Sequence, residues 1–150
     1  MQTVLGVLTF LSALEGALTF IPRLSVAPVA SIRVHDPMGT VFSLTNNGIL
    51  PIHDVQALCG IDRVKTTGGG GISGIAFEMP ESHADVLLPT DSMTVPCAHA
   101  VNMGAGAASA EITIHITYRP DLVPWHREID FPLEAEKADD GTWLWKHKPK

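Results

Sequence analysis

Two short segments of the chain carry the residue types that could do chemistry. The first reads NNGILPIHDVQALCGI and the second reads MTVPCAHAVNMGAG. Their imidazole, carboxyl and sulfur side chains belong to His53, Asp54, Cys59, Cys97, His99 and Met103. Thiols and imidazoles bind metals, and a thiol can also act as a nucleophile or form a disulfide. The residue types alone therefore leave a metal site, a catalytic site and a disulfide as alternatives.

The cysteines favour the disulfide. The chain has two of them, Cys59 and Cys97, each near the end of a predicted strand. An even number of cysteines is typical of a disulfide framework in a domain outside the cytoplasm. A bridge would close a loop of about 38 residues and, by the entropy lost from the unfolded chain, stabilise the domain by roughly 4 kcal/mol. We predict this bridge, with two free buried thiols or metal ligation as the alternatives.

The metal alternative has a specific form. The pieces NNGILPIHDV and PCAHAVNMGAG resemble a cupredoxin, in which one upstream histidine and a later cysteine, histidine and methionine surround copper. The resemblance implies copper binding or electron transfer, with a thiolate and two imidazoles in a plane and a long axial thioether. The implied ligands are His53, Cys97, His99 and Met103. A single residue separates Cys97 from His99, where cupredoxin loops have at least two.

No motif in the sequence specifies a reaction or a cofactor. There is no G-x-S-x-G elbow, and the glycine run TTGGGGISG lacks the Lys-Ser/Thr that completes a P-loop. The net charge of −6 provides no basic stripe for a nucleic acid. The sequence therefore favours a non-catalytic protein that binds neither nucleic acid nor a cofactor.

The N-terminal segment is the most apolar part of the chain. Residues 1–21 carry one charge, Glu15, and about 19 apolar-dominated positions come close to the thickness of a bilayer. This predicts a single-pass transmembrane or signal-anchor helix, with a cleaved signal peptide or a buried helix as alternatives. Residues 22–30 contain two prolines and no periodicity, which indicates an extended linker. The cysteines favour an extracytoplasmic domain behind it.

Residues 31–148 have a β pattern throughout. The clearest strand is AEITIHITY, in which Ala110, Ile112, Ile114, Ile116 and Tyr118 alternate with polar residues. Weaker strands are expected at 31–35, 40–46, 52–61, 73–79, 84–89, 93–98, 126–133 and 142–146. Seven to nine short strands separated by Gly and Pro turns predict an antiparallel, immunoglobulin-like β-sandwich.

The stretch TYRPDLVPWHREIDF predicts a rigid corner between two strands. Prolines at 120 and 124 end one strand and stiffen the crossing before the next. Its aromatic and basic side chains could be packed locally or form the rim of a binding surface. The predicted partner-binding residues are Tyr118, Arg119, Trp125 and Trp143.

The order of these features resembles a group of uncharacterised bacterial membrane-anchored proteins. The matching pieces are IPRLSV, DPMGTVFSLTNNGILPIHDVQALCGI, TVPC, ITIHITYRPDLVPWHREIDFPL and DDGTWLWK, which together span nearly the whole chain. The resemblance implies a sandwich domain on an N-terminal anchor and brings no known activity. We therefore expect a binding or scaffolding module at the cell envelope, held in the membrane by its N-terminal helix and contacting another envelope protein.

Overall fold

The computed structural model describes residues 22–31, 35–97 and 106–148. Within these ranges the chain forms nine strands and one 3₁₀ turn, Pro37–Gly39. The strands are β1 (Leu24–Ser31), β2 (Thr40–Asn46), β3 (Ile52–Thr66), β4 (Gly71–Ile72), β5 (Ile75–Leu87), β6 (Ser92–Pro96), β7 (Ala107–Pro120), β8 (Arg127–Lys137) and β9 (Trp143–His147). The prediction of a mainly β, antiparallel chain is confirmed. The described residues contain no helix that is long and apolar enough to span a bilayer, and the predicted helix at 1–21 lies outside them.

The strands form two antiparallel sheets. The smaller sheet has the order β1-β2-β6, and the larger has the order β4-β3-β7-β8-β9. Strand β5 pairs with β3 on the same edge as β4, further along the strand. Strands β3 and β7 form the centre of the larger sheet and pair from Ile52↔Pro120 to Thr66↔Ala107. These two long strands position the residues of the candidate functional site.

The period-two pattern of β7 decides which side of the larger sheet is buried. Ala110, Ile112, Ile114, Ile116 and Tyr118 are buried, and the polar residues between them are partly exposed. This confirms the alternation expected from the sequence, because successive side chains of a strand point to opposite faces. Strand β2 alternates in the same way from Thr40 to Asn46.

The buried faces of the two sheets share one hydrophobic cluster. Phe42 of the smaller sheet makes an edge contact with Trp145 of the larger one, with ring centroids 5.2 Å apart. The indole N–H of Trp145 donates to the hydroxyl of Thr40 at 2.9 Å. Cys59 in β3 and Cys97 after β6 form a disulfide, with Sγ atoms 2.00 Å and Cα atoms 5.5 Å apart. The two sheets are therefore joined by packing, a hydrogen bond and a covalent link.

The predicted linker at 22–30 is mostly a strand. Residues 24–31 pair with β2, from Leu24↔Asn46 to Ser31↔Thr40, and Val26 is buried against the core. Pro28 is tolerated because β1 is an edge strand, where a missing N–H removes no ladder bond, and the register shifts just after it. Extended backbone without periodicity fits a linker and an edge strand equally well, which is why the sequence pattern did not separate them.

The predicted strands 73–79 and 84–89 are one strand, β5. Its pairing with β3 passes from Leu58↔Glu78 to Gln56↔His83 across an irregularity. The residues between the two predicted segments form a bulge, which inserts extra residues without ending the strand. Strand β3 is also longer than predicted and runs to Thr66.

Asn46 is a buried junction between the two sheets. Its side-chain amide donates to the carbonyls of Leu50 at 2.9 Å and Leu87 at 3.0 Å. Its side-chain oxygen accepts from the backbone N–H of Gly48 at 2.9 Å. One fully buried side chain therefore holds the turn after β2 against the end of β5.

Candidate functional site

The site of greatest interest is the connection between β7 and β8. The hairpin closes with the pair Tyr118↔Arg127, and the ladder between β3 and β7 ends at Pro120. We name residues 119–126, together with His53 and Asp54 of β3, the loop corner. Pro120 and Pro124 bracket its tip, where fixed φ angles limit the conformations available to the chain.

Polar side chains connect the loop to β3. The Arg119 side chain donates from Nε to Oδ2 of Asp54 at 2.9 Å. The His53 ring nitrogen Nε2 lies 2.9 Å from Oδ1 of Asp121, and Nε2 of His126 lies 3.9 Å from Oδ2 of Asp54. The start of the loop is therefore held to two residues of β3, and His126 at its end lies near one of them.

Asp54 lies at an irregular point of β3. The register with β7 shifts between His53 and Gln56, and Asp54 has a φ of 50°. Aspartate tolerates this left-handed conformation better than most residues, because its short polar side chain can bond locally. The hydrogen bond from Arg119 lowers the pKa of the Asp54 carboxyl below its usual value. The carboxylate therefore stays charged and keeps its contact with the loop.

Large apolar side chains project from this anchored loop. Leu122 is 65% exposed and Trp125 is 60% exposed. Elsewhere in the described chain the other tryptophans, Trp143 and Trp145, are partly buried against the core. An exposed tryptophan on a loop that is already held in place loses little further conformational entropy when it binds.

The structure separates the four predicted partner-binding residues. Arg119 and Trp125 lie in the loop corner. Tyr118 does not offer a contact surface, because it is 6% exposed and burial raises the pKa of its hydroxyl. Trp143 pairs with Lys137 at the far end of β8 from Arg127, which at strand rise is about 30 Å away. The sequence could not show this, because the strand order is a tertiary property.

The predicted copper ligands do not come together in the described residues. Cys97 is 2% exposed and bonded to Cys59 between the sheets, so it provides no thiolate. His53 lies in the loop corner and contacts Asp121. His99 and Met103 lie outside the described residues. Within the part of the chain described, no three His, Cys, Asp or Glu side chains converge in a way that could hold a metal ion.

A shallow cavity of about 370 Å³ lies on the outer face of the larger sheet. It is lined by Gln56, Leu58, His115, Thr117 and Glu128. The Nδ1 atom of His115 is 2.7 Å from Oδ1 of Asp130, which orients the imidazole. A Cβ on Gly60 would lie 3.2 Å from Nε2 of His115, so the glycine leaves room for the ring. The cavity offers polar contacts on an open, acidic surface.

The side-chain contacts between the loop and β3 were missed from sequence. Their partners are separated by 65 positions for Arg119 and Asp54 and by 68 for His53 and Asp121. The available signal was the complementary charge of the pieces IHDV and YRPDLVPWH. That signal needs the register between β3 and β7 before it can assign partners.

No protein-family model and no curated protein sequence matches the chain.

Proposed function

We propose that this chain is a non-catalytic, membrane-anchored protein of the cell envelope whose β-domain is a binding or scaffolding module. The observation that carries the proposal is the exposure of Leu122 and Trp125 on a loop anchored by charged contacts. Exposed apolar groups rimmed by polar residues mark protein-interaction sites, and tryptophan is enriched among the residues that dominate binding. The proposed partner is another envelope protein.

The proposed location is the membrane, with the domain outside the cytoplasm and residues 1–21 as a single-pass anchor. The anchor rests on the low charge and length of this segment. The outward placement is supported by the Cys59–Cys97 disulfide, because such bonds persist in oxidising compartments and are rare in the cytosol.

We further propose that the domain is an immunoglobulin-like sandwich. The order β1-β2-β6 in one sheet and β5-β3-β7-β8 in the other corresponds to strands A-B-E and C′-C-F-G. Strand β9 is then an addition beyond G. The bridge differs from that of antibody domains, which links B and F, since Cys59 lies in the strand equivalent to C.

The resemblance to uncharacterised bacterial anchored proteins has a structural interpretation. Several of its shared pieces contain residues that shape turns. Asp36 accepts from the N–H of Met38 at 3.0 Å, Asn46 joins the sheets, and Asp140 accepts from the N–H of Thr142 at 2.9 Å. Membership in that group would therefore support a shared fold, and the shared piece ITIHITYRPDLVPWHREIDFPL also contains the loop corner.

The proposed function can be tested by site-specific photocrosslinking in native membranes. A photoreactive phenylalanine analogue would replace Trp125, and a matched control would carry it at Val29, which is 63% exposed on β1 of the other sheet. We expect a discrete crosslinked product with one envelope protein from position 125 and none from position 29. The additional substitution Leu122→Ser should reduce the product from position 125.

Equal products from both positions, or none from position 125, would overturn the proposed surface.

The number of free thiols provides a second measurement, which tests the proposed location. Alkylation of native membranes before and after reduction should give no free thiols and then two. Two free thiols before reduction would overturn the extracytoplasmic placement.

A further inference from the structure

The outer edge of β8 is only partly paired. Strand β9 covers Leu133–Lys137, and the backbone N–H of Lys148 donates to the carbonyl of Pro132 at 2.9 Å. Among the described strands none pairs with residues 127–131 on this side, although their other side pairs with β7. The sheet therefore has a step at its edge, next to the loop corner.

The backbone groups at this step point outward in a defined order. The carbonyl of Pro132 and the N–H of Ala138 both face the β9 side, because they bond Lys148 and Thr142. Backbone groups of an antiparallel strand alternate in direction with every residue. The N–H and C=O groups of Glu128 and Asp130 therefore also face this side. Pro132 occupies a position where its missing N–H would have pointed to the edge, as prolines of edge strands do.

The side chains along the step divide by face. Glu128 and Asp130 are exposed on the outer face of the sheet, beside the cavity that Glu128 lines. Ile129 is half-buried and Phe131 is 9% exposed on the inner face. A strand added here would meet carboxylates on one side and, on the other, Ile129 and Phe131 followed by the exposed Arg127 at the start of β8.

Strand β9 shows what sequence this edge accepts. Its inner-face residues Trp143 and Trp145 pack against the core. On the outer face, Nζ of Lys146 donates to Glu136 at 2.6 Å, and Lys148 just after the strand bonds Glu111. Trp143, Leu144 and Trp145 thus begin the strand, and the two lysines follow on its outer face on either side of His147, each paired with a carboxylate of the sheet.

We propose that the β8 edge at residues 127–131 binds an extended segment of a partner protein, in which basic residues alternate with apolar ones. The segment adds a strand in line with β9 and places its basic side chains beside Glu128 and Asp130. This inference rests on the proposed function and specifies the strand edge by which the domain binds its partner. A second copy of this chain does not fit through the same edge, because it would set Glu128 and Asp130 against their own like charges.

The test uses the full chain in a mild detergent and a synthetic peptide that alternates valine and lysine over seven residues. The control peptide has glutamate in place of every lysine. We expect the fluorescence anisotropy of a labelled lysine peptide to rise when it binds the protein. The lysine peptide should bind at least tenfold more tightly than the glutamate peptide. Rising salt should weaken the interaction, since charge selects the ligand.

Two variants of the same residue separate the backbone edge from the side-chain charge. Glu128→Pro removes an N–H that faces outward and leaves the ladder to β7 intact, and it should reduce peptide affinity at least tenfold. Glu128→Ala keeps the N–H and should reduce affinity only about threefold. Both variants are first compared with the parent by thermal unfolding, and Asp130→Pro, which also removes an outward N–H, serves as the replacement if Glu128→Pro does not fold.

Hydrogen exchange supplies an independent readout. In the free protein the amides of Glu128 and Asp130 should exchange fast, whereas those of Ile129 and Phe131 are bonded to β7 and should exchange slowly. Adding the lysine peptide should slow the amide exchange of Glu128 and Asp130 at least tenfold and leave that of Ile129 and Phe131 unchanged. Protection of Glu128 and Asp130 in the free protein would overturn the proposal, because another segment of the chain would then cover the edge.

The outcomes distinguish this inference from the proposed function. Equal binding of the two peptides, or of the parent and Glu128→Pro, overturns the edge proposal. If crosslinking from position 125 still captures one envelope protein in that case, the loop corner remains the binding surface. If crosslinking fails as well, both proposals fall.

Discussion

Two tryptophans show how differently the chain uses its interior and its loop corner. Trp145 lies between the sheets, in edge contact with Phe42 and hydrogen-bonded to Thr40. Trp125 is 60% exposed on a loop whose first residue, Arg119, is bonded to Asp54. The interior buries its aromatic area to stabilise the fold. In the loop corner, polar contacts hold the loop while the Trp125 side chain stays in water, where it adds little to the stability of the fold.

The largest expected effect comes from the covalent link of the interior. Replacing Cys59 and Cys97 together by alanine should lower the free energy of unfolding by about 4 kcal/mol, because the unfolded chain regains the entropy of an open loop. Urea unfolding followed by tryptophan fluorescence measures this loss. Reductant added to the parent should have the same effect and leave the double variant unchanged. A loss below about 1 kcal/mol would contradict the prediction.

The same substitution at the two tryptophans compares the regions directly. Trp145→Ala should cost about 3 kcal/mol, because it empties space against Phe42 and leaves the Thr40 hydroxyl without its donor. Trp125→Ala should change the free energy of unfolding by less than about 0.5 kcal/mol. Thermal unfolding of both variants measures the difference. Similar losses at the two positions would show that Trp125 is also part of the fold.

Asn46 tests how much of the interior depends on one polar side chain. Asn46→Ala should cost about 2 kcal/mol, because the N–H of Gly48 and the carbonyls of Leu50 and Leu87 lose their partner in a buried place. Its neighbour is a matched control, since Asn47 is exposed and bonds Ser25 at 2.7 Å. Asn47→Ala should change the free energy of unfolding by less than about 0.5 kcal/mol. Equal losses would contradict a special role for Asn46.

The smallest effect concerns the charges of the loop corner. The hydrogen bond from Arg119 lowers the pKa of Asp54 from its usual 3.8. A carboxyl with a lowered folded pKa adds stability above its unfolded pKa and loses it as the pH falls through the folded value. Arg119→Gln should therefore raise the pKa of Asp54 and flatten the pH dependence of stability below about pH 4.

Carbon-detected NMR titration of Asp54 measures this change. Glu136 is the internal control, because Lys146 lowers its pKa at the far end of β8 and should do so unchanged in Arg119→Gln. Asp54→Asn tests the backbone separately, since asparagine also tolerates the left-handed φ of 50°. An unchanged pKa of Asp54 in Arg119→Gln would show that the ion pair does not form in solution.

Features that depend on neighbours in the chain were predictable from the sequence. The period-two pattern of 110–118 fixed the buried face of β7, and β2 begins and ends at the predicted residues Thr40 and Asn46. Alternation and turn residues are local signals, because each strand residue points to one face whatever strand lies beside it. The count and placement of the cysteines likewise pointed to the pair that the structure brings together.

Features that depend on register and strand order were decided by the tertiary structure. Edge pairing converted the expected linker into β1, and pairing across a bulge joined two expected strands into β5. Register between β3 and β7 brought Asp54 to Arg119, while strand order moved Trp143 away from Trp125. These outcomes follow from which apolar faces can be buried together, and that choice is made among distant segments. The sequence determined the faces of the strands, and packing determined which of them meet.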